Sequence, residues 1–385
     1  MEQTAYFDNA ATTFPKPEEV YTFTDIFYRE CGVNVGRGQH NLASKASALV
    51  AETRELLLNL FHCPNKKVVF AHTATEALNT ILRGLKWCDG MNVYISPFEH
   101  NAVTRVLHHL RQNYSLNIHT LSFDITVFDY AVSKIQEQFI ASPPSVVIIS
   151  HASNICGVVA PITKICSLSK KHGAVNVIDM CQTAGLIDSV LSLETIDYAV
   201  FAGHKTLYSP FGVAGFICKP TIKLIPLMFG GTGVDSASQE LPETVPERYE
   251  VASPNIAAIA GLNASLKWIG KVGIANIYNK EQENRNRLIT LLQQYNNIKI
   301  VSKTDGENFI GVVSCVFDEY GSDNIGQILS DKGVAVRTGL HCAPTAHKFL
   351  GTFPGGTVRF SVSYFNDDND FTALEQALSY IQENS

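Results

Sequence analysis

Between about Thr53 and Lys219 the chain alternates short apolar runs with stretches of helical period. That alternation predicts an α/β fold built on a mainly parallel sheet. Val68-Val69-Phe70, Val93-Tyr94-Ile95, Val146 to Ile149, Val175 to Ile178, Tyr198 to Phe201 and Val213 to Ile217 read as its strands. Their near-continuous apolar character suits strands covered on both faces. Ala77, Leu78, Ile81, Leu82 and Leu85 mark one intervening helix, and Val103 to Leu110 another.

The last third has a different texture. Gly, Ser, Pro and Glu dominate from Gly230 to about Pro254, which predicts an irregular segment, and a helix is expected over 257–271. Val358, Phe360, Val362 and Tyr364 then alternate with Arg359, Ser361 and Ser363, the period of a half-exposed strand with Arg359 on its polar face. Asp367-Asp368-Asn369-Asp370 offers capping chemistry for a closing helix through Leu374, Leu378 and Ile381. A second, smaller α+β domain is expected here.

Composition excludes several classes. The 385 residues carry 30 basic and 36 acidic side chains, a net charge of -6, with no basic stripe to neutralise phosphates. Binding to nucleic acid is not expected. The apolar runs fall far short of the ~20 residues that span a bilayer, and the N-terminus lacks a signal-peptide pattern, so no membrane association is expected. Nine cysteines, an odd number without a CxxC, predict reduced thiols and a cytoplasmic protein. No metal-ligand spacing joins the histidines.

Ligands of open α/β sheets bind beyond the carboxyl ends of strands. Ala71-His72-Thr73-Ala74-Thr75-Glu76 follows the first strand and opens a helix, whose free amides suit a phosphate. The next strands lead into Glu99-His100-Asn101, Ser150-His151-Ala152-Ser153-Asn154, Asp179 with Gln182, and Ala202-Gly203-His204-Lys205. An acid and a lysine at the ends of two buried strands are costly unless something uses them. Taken alone, a structural Asp–Lys pair accounts for them. Taken together with a phosphate cradle and an aromatic His100, they match the requirements of pyridoxal phosphate, whose enzymes use a lysine amine and an acid on the pyridine nitrogen.

At that point the motifs align with a known family. Tyr6 to Thr13, Thr73 to Ala77, Glu99-His100-Asn101, His151 to Asn154, Asp179 to Gln182, Gly203-His204-Lys205 and Arg337 to Ala343 resemble, in order, the fold-type I, class V aminotransferase group. Within it the chain is similar to cysteine desulfurases of the SufS-like and selenocysteine-lyase-like branch. The resemblance implies that Lys205 holds pyridoxal 5'-phosphate and moves the substrate's α-proton. Asp179 would keep the pyridine nitrogen protonated, and His100 would stack on the ring. Asn154 and Gln182 would reach its phenolic oxygen. Thr75, the Ala74 and Thr75 amides and His204 would hold the phosphate, with Ser253 reaching across to a partner subunit's phosphate. Arg359 would clamp the substrate carboxylate, with Asn154 and Arg337 also lining the substrate site. Cys342 would be the nucleophile that takes sulfur from L-cysteine as a persulfide, with Arg337 and His341 its nearest cationic neighbours in sequence.

The resemblance further implies a homodimer and a sulfur-acceptor protein or thiol. It divides the chain into a large cofactor domain over 15–261 and a small domain made of 1–14 and 262–385. Two departures stand out: Ala202 replaces the usual Ser or Thr, and Asn101 replaces a frequent second histidine. L-selenocysteine as substrate, another C–S lyase reaction and aminotransfer are the competing chemistries. A non-catalytic relative would lack Lys205 or Asp179, and both are present.

Overall fold

A computed structural model gives the fold over residues 4–36, 38, 40–234 and 237–384; residues 1–3 of the segment 1–14 therefore lie outside the described residues. Each apolar run forms a strand. The order across a seven-stranded sheet is Lys67–Ala71, Ala214–Cys218, Tyr198–Ala202, Val175–Asp179, Val146–Ser150, Asn92–Ile95 and Asn117–Thr120. Ala214–Cys218 runs antiparallel to both neighbours, and the remaining pairs are parallel.

Alternate residues feed two cores. Val147 and Ile149 pack with Leu49, Leu57 and Ile259 on one face, while Val146 and Ile148 pack with Leu78, Ile81 and Val103 on the other. Burial of each such side chain contributes roughly 1.5–3 kcal/mol. Both faces being apolar is why the runs are continuous rather than alternating. The register places Ser150 opposite Asp179 and Asp179 opposite Val200, so three parallel strands end nearly level.

A four-stranded antiparallel sheet follows, in the order Ile298–Ile300, Val312–Phe317, Thr357–Ser361, Arg337–Gly339. Its core joins Leu288, Leu292, Val313, Ile325, Val358, Phe360, Leu374 and Leu378 with Ala5 and Phe7. The N-terminal strand Ala5–Tyr6 reaches that core by pairing with Val334–Ala335. The expected helix over 257–271 is Ile256–Val272, capped by Asn255 and closed by Gly273 at φ 88°. It runs unbroken through position 261. The closing helix Asp368–Glu383 begins with a capping box between Asp367 and Asp370.

One expectation is corrected. The strand carrying Arg359 is not half-exposed: all five residues of Thr357–Ser361 are buried, between two neighbouring strands. Its polar face is covered as well, by the N-terminal segment and the Asn154 loop, so the alternation records an apolar core on one side and a polar interior site on the other. Among the described residues no helix is long and apolar enough to cross a membrane.

Candidate active site

The level strand ends gather the polar residues. Asp179 is buried, and its Oδ1 accepts the Cys181 amide at 2.9 Å. The neighbouring strand Tyr198–Ala202 leads into Gly203-His204-Lys205, whose carbonyls are taken by the N-terminal segment. Thr12 Oγ1 donates to His204 O at 2.9 Å and Thr13 Oγ1 to Lys205 O at 2.9 Å. Lys16 Nζ also donates to His204 O, at 2.6 Å; burial pushes its ammonium down to about 7. Gln182 Nε2 donates to Ala10 O at 2.9 Å, which ties the same segment to the Asp179 loop.

His100 caps the helix Asn101–Leu110, its Nδ1 accepting the Ala102 amide at 3.0 Å. Burial lowers its pKa, and Asp179, Lys205 and Arg337 all lie close enough to act on its charge. Burial therefore favours the neutral ring, with Asp179 and Lys205 in one electrostatic neighbourhood. His204 stacks on Phe211 with centroids 4.5 Å apart, and burial pushes it down to about 3. Its buried Nδ1 has no partner among the described residues. Ala74 and Thr75 open the helix Ala74–Gly84, where Thr73 caps the Glu76 amide at 3.1 Å, and Thr75 is exposed.

Cys342 follows the strand Arg337–Gly339, in a turn where His341 and Cys342 both have positive φ, 47° and 59°. Side chains strain such backbone, so the turn has to be held by its surroundings. Asn101 N donates to Cys342 O at 2.7 Å, and Asn154 Nδ2 donates to His341 O at 2.9 Å. Arg337 Nη2 lies 3.6 Å from Cys342 Sγ. Seven of the nine thiols are buried and Cys88 is exposed elsewhere; Cys342 alone is half-buried. Burial pushes the Cys63 and Cys156 thiols up to about 11.

Arg359 is 1% exposed, its Nη2 2.6 Å from Asp8 Oδ1 and its Nη1 donating to Asn154 O at 3.1 Å. The structure thus connects His100, Asn154, Asp179, Lys205, Arg337, Cys342 and Arg359 through hydrogen bonds and short-range charge. Ser253 is exposed and has no hydrogen bond to any of them; it lines a cavity of about 460 Å³ with Phe70, His72, Glu76 and Gly212. Asp8, Lys16 and Glu99 were given no role by sequence reasoning. The signal available was that Asp8 and Glu99 sit inside quoted motifs and Lys16 just beyond one.

Residues 5–374 match the family model described as aminotransferase class-V. The chain belongs to that family. A probable cysteine desulfurase of Methanothermobacter thermautotrophicus is 27% identical over 392 residues, covering 98% of this chain and 94% of that protein. The apo structure of a cysteine desulfurase from Thermococcus onnurineus superposes with a TM-score of 0.91 at 26% identity, over 99% of this chain and 95% of the other. A C-DES variant with glycine covalently linked to its pyridoxal phosphate shares the fold, with a TM-score of 0.83 at 20% identity over 98% and 97% of the two chains. The fold is that of the fold-type I pyridoxal phosphate enzymes.

Pyridoxal 5'-phosphate is the cofactor of this class V enzyme, and the residues present fit it. A buried acid and a half-buried lysine lie at the ends of adjacent strands, a helix N-terminus stands open at Ala74 and Thr75, and His204 keeps a buried nitrogen without a partner among the described residues.

Proposed function

We infer that the chain is a pyridoxal phosphate-dependent cysteine desulfurase, converting L-cysteine to L-alanine and a persulfide on Cys342. The observation that carries this reading is the placement of Cys342, a half-buried thiol beside Arg337 whose backbone is hydrogen bonded to the His100 turn and next to the Asn154 loop. Bound at Lys205, the cofactor supplies an electron sink for the pair released when the substrate's α-proton leaves. Lys205 anchors it and carries that proton. Asp179 holds positive charge at the ring nitrogen, while neutral His100 covers the ring. Ala74, Thr75 and His204 take the phosphate, and Asn154 and Gln182 stand by the phenolic oxygen.

Arg359 orients the substrate through its carboxylate by charge-assisted hydrogen bonds. The Cys342 thiolate then attacks the substrate sulfur, the carbon–sulfur bond breaks and its electron pair stays with the substrate carbon; protonation of the β-carbon and return of the α-proton from Lys205 yield alanine. The persulfide passes to an acceptor protein or thiol.

The protein functions as a homodimer in this reading. Tyr21, Ile26 and Tyr28 stand exposed on the helix Glu18–Cys31, and Phe211 and Phe229 are 65% and 77% exposed, large apolar side chains of the kind a second copy would cover. Ser253 would meet the partner's phosphate there. In this reading the seven-stranded sheet belongs to a larger domain over 15–261 that holds the cofactor, and the four-stranded sheet to a smaller domain of 1–14 and 262–385 that carries the thiol turn. The odd number of cysteines without a CxxC supports a cytoplasmic location in this reading.

The test is one assay: L-cysteine supplied under reductant, with alanine and sulfide quantified for wild type and Cys342→Ala. Equal alanine and sulfide, lost in the variant, is the expected result. Pyruvate and ammonia accompanying sulfide, and surviving in the variant, would make the enzyme a lyase that uses no thiol of its own.

A further inference from the structure

Arg337 and Arg359 are direct cross-strand partners in the antiparallel pair that leads to Cys342. Like charges in that relation repel. Arg359 is also deeply buried, where a guanidinium needs a counter-charge. It has one, Asp8, whose Oδ1 lies 2.6 Å from Nη2. Nη1 is spent on the Asn154 carbonyl at 3.1 Å, and the buried Nε has no partner among the described residues.

Asp8 is itself fixed. Its backbone forms a bridge with Ser361, and the next residues bind the same serine: Asn9 Nδ2 donates to Ser361 O and Ala10 N to Ser361 Oγ, both at 2.9 Å. The segment goes on to take the carbonyls of His204 and Lys205. One strap therefore joins the arginine to the lysine loop.

We propose that Asp8 is a positioning residue that holds Arg359 with its unpartnered Nε edge turned to the substrate's α-carboxylate. Two guanidiniums against one carboxylate leave one positive charge for that α-carboxylate, and Asp8 fixes the edge of Arg359 that presents it, so that losing Asp8 costs the geometry although it adds net positive charge. An amine without the carboxylate gains nothing from the arrangement. The inference rests on the reading in which Arg359 receives the substrate carboxylate.

The experiment compares cofactor-loaded wild type, Asp8→Asn and Asp8→Glu on L-cysteine and on cysteamine, which carries the same thiol without a carboxylate. For Asp8→Asn the expectation is a KM for L-cysteine raised about ten-fold, a kcat changed less than three-fold, and a preference for L-cysteine over cysteamine reduced about ten-fold, in line with loss of a charge-assisted hydrogen bond. Asp8→Glu keeps the charge at a longer reach and recovers part of the preference. A preference left intact in Asp8→Asn, or a loss confined to kcat, overturns the proposal. Should Asp8→Asn fail to fold, an unchanged KM in Asp8→Glu overturns it too. A wild type with no preference for the carboxylate would remove the Arg359 reading itself, which separates the two failures.

Discussion

The backbone amide of Asn101 donates to the carbonyl of Cys342 at 2.7 Å, so the turn that presents His100 also holds the turn that presents the thiol. Asn101 is the first residue of its helix, where proline is well accommodated and a missing N–H disturbs no helical bond. His100 already has the extended backbone that a following proline requires, φ -72° and ψ 156°.

Asn101→Pro leaves the helix intact but removes this hydrogen bond and sets a ring carbon against the Cys342 carbonyl, which must shift. The hydrogen bond alone is worth about 1 kcal/mol, and the displacement adds to it. The expected outcome is cofactor absorbance like wild type with sulfide turnover reduced by more than about five-fold, measured by steady-state assay. Asn101→Ala keeps the amide and should turn over at the wild-type rate.

Much of this site was legible in the sequence because its residues sit where strand periodicity stops. Asp179, Lys205 and Asn154 each follow an apolar run, and a parallel sheet brings such run-ends together whatever the intervening helices are. The Arg359 strand was misread because period two reports only that two faces differ, not that water lies on one of them. Asp8 went unassigned because its partner is 351 residues away, a pairing that local spacing cannot express.

Glu99 is fully buried, accepting from Ser96 Oγ at 2.5 Å, Ser150 N at 2.7 Å and Ser150 Oγ at 3.0 Å. Burial pushes it up to about 7 from 4.5, so the folded chain holds this proton more tightly than the unfolded one. Its contribution to stability is complete below pH 4.5 and is lost as pH rises to about 7, a change of about 3 kcal/mol at 1.36 kcal/mol per pH unit. Glu281, pushed up to about 8 by burial, acts in the same direction. Urea unfolding at pH 5 and pH 8 isolates Glu99: Glu99→Gln should lose markedly less stability between the two than wild type does.

Lys16 works with the opposite sign. Its folded pKa is lowered by burial to about 7, so the stability associated with its neutral amine is lost as pH falls through 7. Lys16→Met carries no such proton. Thermal unfolding midpoints of wild type relative to Lys16→Met should rise from pH 6 to pH 9; parallel curves would show that Lys16 is solvated.

Ala202 closes its strand at 2% exposure, on the face that packs against the helix Ala74–Gly84 and directly before Gly203-His204-Lys205. A serine there would add a hydroxyl near the open N-terminus of that helix, where the cofactor phosphate is proposed to sit. Without an anion the hydroxyl would be buried and unsatisfied, costing about 1–3 kcal/mol. With the phosphate present it would gain a charge-assisted partner. Ala202→Ser should therefore lower the melting temperature of the apo-protein while tightening pyridoxal phosphate several-fold, measured by cofactor titration of apo-protein. Pyridoxal, which lacks the phosphate, should show no such gain, and equal gains for both would place the residue 202 side chain away from the phosphate.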